Sequence, residues 1–281
     1  MITVTGATGD IGRTLVELLA EAGEEVVAVS RRPRPAQSAA GVRWVQADVG
    51  DAKSLRPALE GARALFLLLG GELDSRGESP DALLAEAARA GIERIVLLSS
   101  QASATRPESP SHARLREFEA AVRASGRNVT ILRPGGFASN AFAWAETVRT
   151  ERAVVAPFGD VALPVVDPAD IAAVAAAVLR EDGHAGRVYE LTGPEAISPR
   201  RQAEVISEAL GEEVTFVELS REDAHAHMAR FMPKEVIDGT LDVLGLPLPA
   251  EQGISPDVEA VLHRPAVPFG AWVARNLPAF R

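Results

Sequence analysis

Thr5-Gly6-Ala7-Thr8-Gly9-Asp10-Ile11-Gly12 follows directly on the apolar residues Ile2-Thr3-Val4 and leads into Thr14, Leu15, Leu18 and Leu19, which recur at helical spacing. The order is strand, glycine loop, amphipathic helix. Such a loop needs glycine where the backbone turns tightly and where it closely approaches a pyrophosphate, whose charge then rests on the N–H groups of the helix N-terminus. Gly6, Thr8, Gly9, Asp10, Ile11 and Gly12 are therefore candidate residues for binding a dinucleotide. A turn that merely packs a helix on a strand would explain Gly12, but not three glycines together.

Outward from this loop, short runs rich in Val, Ile and Leu recur at Ile2–Thr5, Glu25–Ser30, Val42–Ala47, Ala64–Leu69, Ile95–Ser99 and Val129–Leu132, with helical spacing between them, as at Leu83, Leu84, Ala87 and Ala88. Strand and helix alternating at this pitch predict βαβ units. Strands apolar throughout predict a parallel sheet covered on both faces, hence a doubly wound α/β fold. Beyond Asn140 the pattern loosens. It predicts a helix near 142–149, a turn at Phe158-Gly159-Asp160, a helix over Asp167–Arg180, a strand over Arg187–Leu191, a helix over Pro199–Leu210 and a strand over Glu213–Leu219. Residues 1–150 read as the nucleotide-binding domain and 151–281 as a smaller α+β substrate lobe beside the carboxyl edge of the sheet, some of whose segments can return to that sheet.

About 20 residues past the glycines, an NAD site carries a carboxylate for the ribose 2′-hydroxyl, whereas an NADP site carries Arg for the 2′-phosphate. Here stand Ser30-Arg31-Arg32. Arg31 and Arg32, suited to bidentate phosphate contacts, favour NADP(H), with Arg32 alternatively a solvated surface charge. Asp48, after the third strand, reads either as an adenine contact or as an exposed loop acid.

Composition narrows the function classes. The 281 residues are 47% hydrophobic and 24% charged, contain no Cys and carry a formal net charge of −10. Cysteine-based metal sites and disulfide scaffolds are excluded. The acidic balance argues against nucleic acid and anionic membranes as partners. No apolar run approaches the roughly 18 residues of a membrane helix, and the expected location is the cytoplasm. His225 and His227 lack a metal-ligand frame, so no metal is expected.

With Gln46-Ala47-Asp48, Leu97-Leu98-Ser99-Ser100, Ala124-Ser125-Gly126, Thr130-Ile131-Leu132-Arg133-Pro134, Phe137, Asn140 and Val165-Val166-Asp167-Pro168-Ala169-Asp170-Ile171 added to the glycine loop, the sequence resembles the atypical short-chain dehydrogenase/reductases. Within these it is most similar to the NmrA-like group, which includes NADPH-dependent quinone reductases and redox-sensing regulators. The resemblance runs through about 170 residues. It implies a Rossmann-type fold with the nicotinamide near Leu68, Leu69, Gly70, Ser99, Ser100, Pro134 and Phe137, and a substrate cleft closed by the C-terminal lobe.

Classical members of the superfamily use a Tyr with a Lys four residues later, the Lys lowering the phenol pKa for proton exchange with the substrate. The single tyrosine here, Tyr189, belongs to a strand expected in the second lobe, and the only lysines are Lys53 and Lys234. In place of the pair stands Ser111-His112-Ala113-Arg114-Leu115-Arg116. His112 would share a helical face with Arg116 and could donate a proton, or is an ordinary histidine at a helix start. Ser100 reads as a hydrogen-bond donor to a substrate carbonyl or as a cap of the following turn. Phe137, Phe142, Trp144, Phe158, Phe231 and Trp272, with Met228 and Met232, are either core or partly a slot for a flat substrate. The chain thus reads as an NADPH-dependent oxidoreductase passing hydride to a quinone-like, aromatic or conjugated carbonyl substrate without a Tyr–Lys pair. The alternatives are a non-catalytic NADP sensor and a redox-neutral isomerase or cyclase. The oligomeric state is not legible.

Overall fold

The computed structural model describes residues 1–32, 40–69 and 77–281. In chain order the elements are β1 (Ile2–Val4), α1 (Asp10–Glu21), β2 (Val26–Ser30), β3 (Val42–Gln46), α2 (Arg56–Leu59), β4 (Ala64–Leu68), α3 (Pro80–Arg89), β5 (Arg94–Leu98), α4 (Ala102–Thr105), α5 (Ala113–Ala124) and β6 (Asn128–Pro134). There follow α6 (Ala145–Glu151), β7 (Ala153–Pro157), α7 (Pro168–Arg180), β8 (Val188–Leu191), α8 (Pro199–Leu210), β9 (Thr215–Leu219), α9 (Arg221–Met228), α10 (Lys234–Gly245), α11 (Pro249–Gln252), α12 (Asp257–Leu262) and α13 (Phe269–Asn276).

The chain divides into two compact units whose segments interleave: Met1–Ser103, His112–Pro134 and Pro168–Glu190 form the first, and Ala104–Ser111, Gly135–Asp167 and Leu191–Arg281 the second. The first unit carries a seven-stranded sheet in the order β3-β2-β1-β4-β5-β6-β8. Val4 lies opposite Ala28 and Phe66, and Leu98 opposite Leu68 and Leu132, all in parallel register. The inner strands β1, β2, β4 and β5 are buried on both faces, so alternation decides only which helix each side chain meets. The odd-numbered residues Val27, Val29, Leu65, Leu67, Ile95, Leu97 and Ile131 join Leu55, Leu59, Leu83, Phe118 and Val122 in one core on the side of α2, α3 and α5. Each large apolar side chain fully buried there stabilises the fold by about 1.5–3 kcal/mol. Elsewhere in this unit α1 packs on α7, which also lies against β4, β5 and β6.

The strand bearing Tyr189 corrects the expectation drawn from sequence. It is β8, the outermost strand of the main sheet next to β6, and not part of a second-lobe sheet. A parallel strand reaches its neighbour by a long crossover, so nothing local marks which sheet it joins. Tyr189 Oη lies 2.8 Å from His184 Nδ1.

In the second unit β7 pairs in parallel with β9, from Ala153 opposite Thr215 to Pro157 opposite Leu219. Its core gathers Val148, Val154, Ile206, Phe269, Trp272 and Phe280. The Trp272 ring stands edge-on to Phe142 at 4.9 Å and stacks with Phe269 at 5.6 Å. Phe158 and Met228 pack on Ala224, Ile237 and Leu241. Most of the aromatic residues singled out from sequence are thus packing residues, whereas Phe231 and Met232 are exposed and Phe142 keeps one side exposed beside Trp272.

Candidate cofactor and active site

Strand order reverses between β1 and β4, and in open α/β sheets the ligand crevice opens at the carboxyl ends of the strands flanking that point. The glycine loop leaves β1 there. Thr5, fully buried, secures the junction: its hydroxyl accepts from the Leu68 N–H at 2.8 Å and lies 3.1 Å from the Phe66 carbonyl. Gly6 takes φ +65°, a left-handed conformation that favours glycine. The Gly9 N–H closes the turn on the Gly6 carbonyl at 3.0 Å.

Gly12 and Gly9 are glycine for different reasons. A Cβ at Gly12 would stand 2.2 Å from the Gly6 carbonyl oxygen, so α1 lies against the loop backbone with no room for a side chain. A Cβ at Gly9 would meet only that same oxygen, at 3.5 Å, an ordinary contact, and Gly9 has extended dihedrals (φ −80°, ψ 173°) open to any residue. Packing therefore does not demand glycine at position 9. The close approach of a ligand would. Gly9 is also the N-cap of α1 and supplies no side-chain cap, and the first N–H groups of a helix have no partner within it. Thr8, Gly9 and Asp10 are exposed and Ile11 is buried. This cradle, which a side chain at position 9 would fill, fits a dinucleotide pyrophosphate held by Gly6, Thr8, Gly9, Asp10, Ile11 and Gly12.

At the end of β2, Arg31 and Arg32 are exposed. Their backbone is held on both sides: the Ser30 hydroxyl accepts from the Arg32 N–H (3.1 Å) and donates to the Arg32 carbonyl (2.8 Å), and Gln46 Nε2 donates to the Arg31 carbonyl (3.1 Å). Asp48 Oδ1 accepts from the Gly50 N–H at 2.9 Å, closing the loop after β3, and the residue stays exposed.

Further along the carboxyl edge, Leu68 is half-buried against Gly6, and Gly70 lies outside the described residues. Ser99 is 7% exposed and its hydroxyl turns away from the edge, donating to Glu119 Oε1 at 2.6 Å. Glu119, 2% exposed, also receives Arg133 Nε (3.0 Å) and Nη2 (2.6 Å) and Arg123 Nη2 (2.9 Å). Burial pushes the Glu119 carboxyl up, but Arg133, Ser99 and Arg123 together outweigh it and hold it below the usual carboxylate range. Half-buried Ser100 follows, its Oγ accepting from the Ala102 N–H at 3.3 Å, so its hydroxyl caps the next turn and keeps a proton to donate. Pro134 is buried at the end of β6, and its carbonyl accepts from the Gln101 N–H at 2.9 Å.

His112 is the half-buried N-cap residue of α5, without a side-chain cap bond. Arg116 follows four residues on, within the first turns of α5. In the second unit Phe137 is half-buried and bridges to Val166. Asp167, just ahead of α7, is buried and paired with Arg275.

Sequence reasoning missed the Glu119 network. Its signal was Arg133, a cation directly after Ile131 and Leu132 near the end of a strand, which demands a counter-charge if it is buried. Glu119 lies beside Phe118 and three residues before Val122, on the buried face of α5.

Among the described residues no helix is long and apolar enough to cross a membrane. The model of a family described as NAD(P)H-binding matches residues 6–182. The chain is 38% identical to a (4-alkanoyl-5-oxo-2,5-dihydrofuran-3-yl)methyl phosphate reductase of Streptomyces griseus, covering 100% of this chain and 99% of that one. It is 31% identical to an NAD(P)H azoreductase of Xenophilus azovorans over 100% and 99%. The crystal structure of an NADPH-dependent quinone oxidoreductase of Escherichia coli, complexed with NADPH, superimposes with a TM-score of 0.83 at 30% identity, covering 99% of both chains. The chain therefore belongs to the NAD(P)H-binding family and, like the full-length relatives it matches, is an oxidoreductase.

Proposed function

We propose that this protein is an NADPH-dependent reductase of small acceptors in which an electron-poor double bond is conjugated to a carbonyl, quinones and enone-type compounds among them. The observation that carries the reading is a nucleotide cradle in a chain without a Tyr–Lys pair. Tyr189 is engaged with His184 on β8, Lys53 precedes α2, and Lys234 opens α10 in the other unit. With no tuned phenol, an alkoxide forming from a simple ketone has no such proton donor. A conjugated acceptor spreads the incoming electron pair into a phenolate or enolate, which then collects its proton from water. The three relatives described above are named for an alkanoyl-oxo-dihydrofuran, an azo compound and a quinone, all acceptors of this delocalising kind.

Bound NADPH would supply the hydride. The chain's own residues do the rest: the α1 N-terminus and glycine loop hold the pyrophosphate, and Arg31 receives the 2′-phosphate with Arg32 beside it. Ser100 donates a hydrogen bond to the acceptor's carbonyl oxygen, and apolar Leu68 and Pro134 exclude water from the edge. Anaerobic loss of NADPH absorbance against a panel of quinones, enones and aliphatic ketones tests the reading. Quinones and enones are expected to react and aliphatic ketones to be inert. No turnover by any acceptor, with NADPH tightly bound, overturns it in favour of a sensor. Arg31→Ala should erase most of a preference for NADPH over NADH of about tenfold or more, since a charge-assisted hydrogen bond contributes about 1.5–3 kcal/mol.

A further inference from the structure

We propose that Glu119 is a positioning residue for hydride transfer, clamping the carboxyl ends of β5 and β6 from the α5 side so that the turn presenting Ser100 holds one orientation. This inference rests on the reductase reading. Ser99, one residue past β5, and Arg133, in β6, both turn to Glu119 on α5, whereas the Ser100 hydroxyl accepts from the Ala102 N–H. Glu119 receives both residues on one carboxylate, Ser99 at 2.6 Å and Arg133 through two nitrogens. The Ser99 N–H donates to the Leu132 carbonyl (2.8 Å) and the Gln101 N–H to the Pro134 carbonyl (2.9 Å), so the residue on each side of Ser100 is fastened to β6. The Ser99 hydroxyl also lies 3.2 Å from the Ser103 hydroxyl, and the Ser103 N–H donates to the Ser100 carbonyl at 3.0 Å, so the clamp continues into α4. A buried carboxylate is a demanding way to join two strand ends, since an apolar contact would hold them equally well. What the ion pair adds is direction, because the guanidinium fork and the short hydroxyl bond fix angles as well as distances.

The test uses Glu119→Gln, which keeps the shape and removes the charge. NADPH and 2-methyl-1,4-naphthoquinone are the probes. If the clamp positions the edge, the dissociation constant for NADPH stays within about threefold while kcat falls by about tenfold or more at a KM within about threefold, as expected for a misplacement felt only at the reacting atoms. Independently of turnover, the emission of bound NADPH should shift in wavelength or intensity. Ser99→Ala, which leaves the Glu119–Arg133 pair intact, should show the same pattern more weakly and serves if Glu119→Gln does not fold. Lower thermal stability with unchanged kcat, KM and bound-NADPH emission would overturn the proposal, as would loss of NADPH affinity in step with kcat. If the parent protein reduces no acceptor, the reductase reading fails on its own, and the emission shift at constant affinity still decides whether Glu119 orders the edge.

Discussion

The N-termini of α1 and α8 begin two helices of 12 residues in the two units, and they are finished in opposite ways. At α8 the chain completes itself: Ser198 is the N-cap, its Oγ accepts from the Arg201 N–H at 3.3 Å, Pro199 occupies the first turn, and Gly211 closes the far end in the left-handed region. At α1 the N-cap is Gly9, with no side-chain cap. Serine would be the stabilising choice at such a position, and the extended backbone of Gly9 would accept it. A helix start that forgoes an available cap, on a loop whose other glycines are required by backbone conformation at Gly6 and by packing at Gly12, is built to be finished by something outside the chain.

Four substitutions at three positions break or sharpen this contrast. The largest effect is expected at Gly12→Ala, where the new Cβ would fall 2.2 Å from the Gly6 carbonyl oxygen and α1 must lift off its loop. Urea unfolding should register a loss of about 3 kcal/mol or more, the upper range for overpacking. A melting temperature within a degree or two of the parent would mean that the loop yields easily and the cradle is soft. Next comes Gly9→Ala, for which the unfolding free energy should move by no more than about 0.5 kcal/mol, as at open surface sites. NADPH affinity, read by titration calorimetry, should fall about tenfold or more, equivalent to about 1.4 kcal/mol. Gly9→Ser sharpens the point, since it should stabilise the apoprotein while weakening NADPH binding. Unchanged affinity in both variants would remove position 9 from the nucleotide seat. The smallest effect is that of Ser198→Ala, a loss of about 1 kcal/mol for a missing cap. That corresponds to about 2–4 °C in melting temperature for a protein of this size, with no change in NADPH affinity.

The nucleotide half of this picture was legible because its determinants are adjacent in sequence. A strand, a glycine loop and a helix occupy residues 2–21, and Arg31, which we propose receives the 2′-phosphate, stands where the second strand ends. The catalytic edge was harder to read for a physical reason. Strands buried on both faces carry no polar alternation, so nothing in Leu97-Leu98-Ser99-Ser100 says that Ser99 turns inward to Glu119 while its neighbour caps the following turn. Burial on both faces hides parity, and parity decides which hydroxyl serves structure. The same loss of local signal put Tyr189 in the second lobe, since a strand joined by crossover shows its own apolarity but not its neighbour.

The return of α7 and β8 to the first unit has a consequence for how the protein comes into being. Helix α1 emerges from the ribosome early, but α7, on which it packs, is separated from it by some 150 residues that include part of the second unit. At about 5–20 residues per second, the nascent nucleotide seat waits on the order of ten to thirty seconds for its own scaffold. Until then the apolar side of α1, with Leu15, Val16 and Leu19, lacks its α7 cover, so that the first helix of the chain waits for a partner made more than halfway along it.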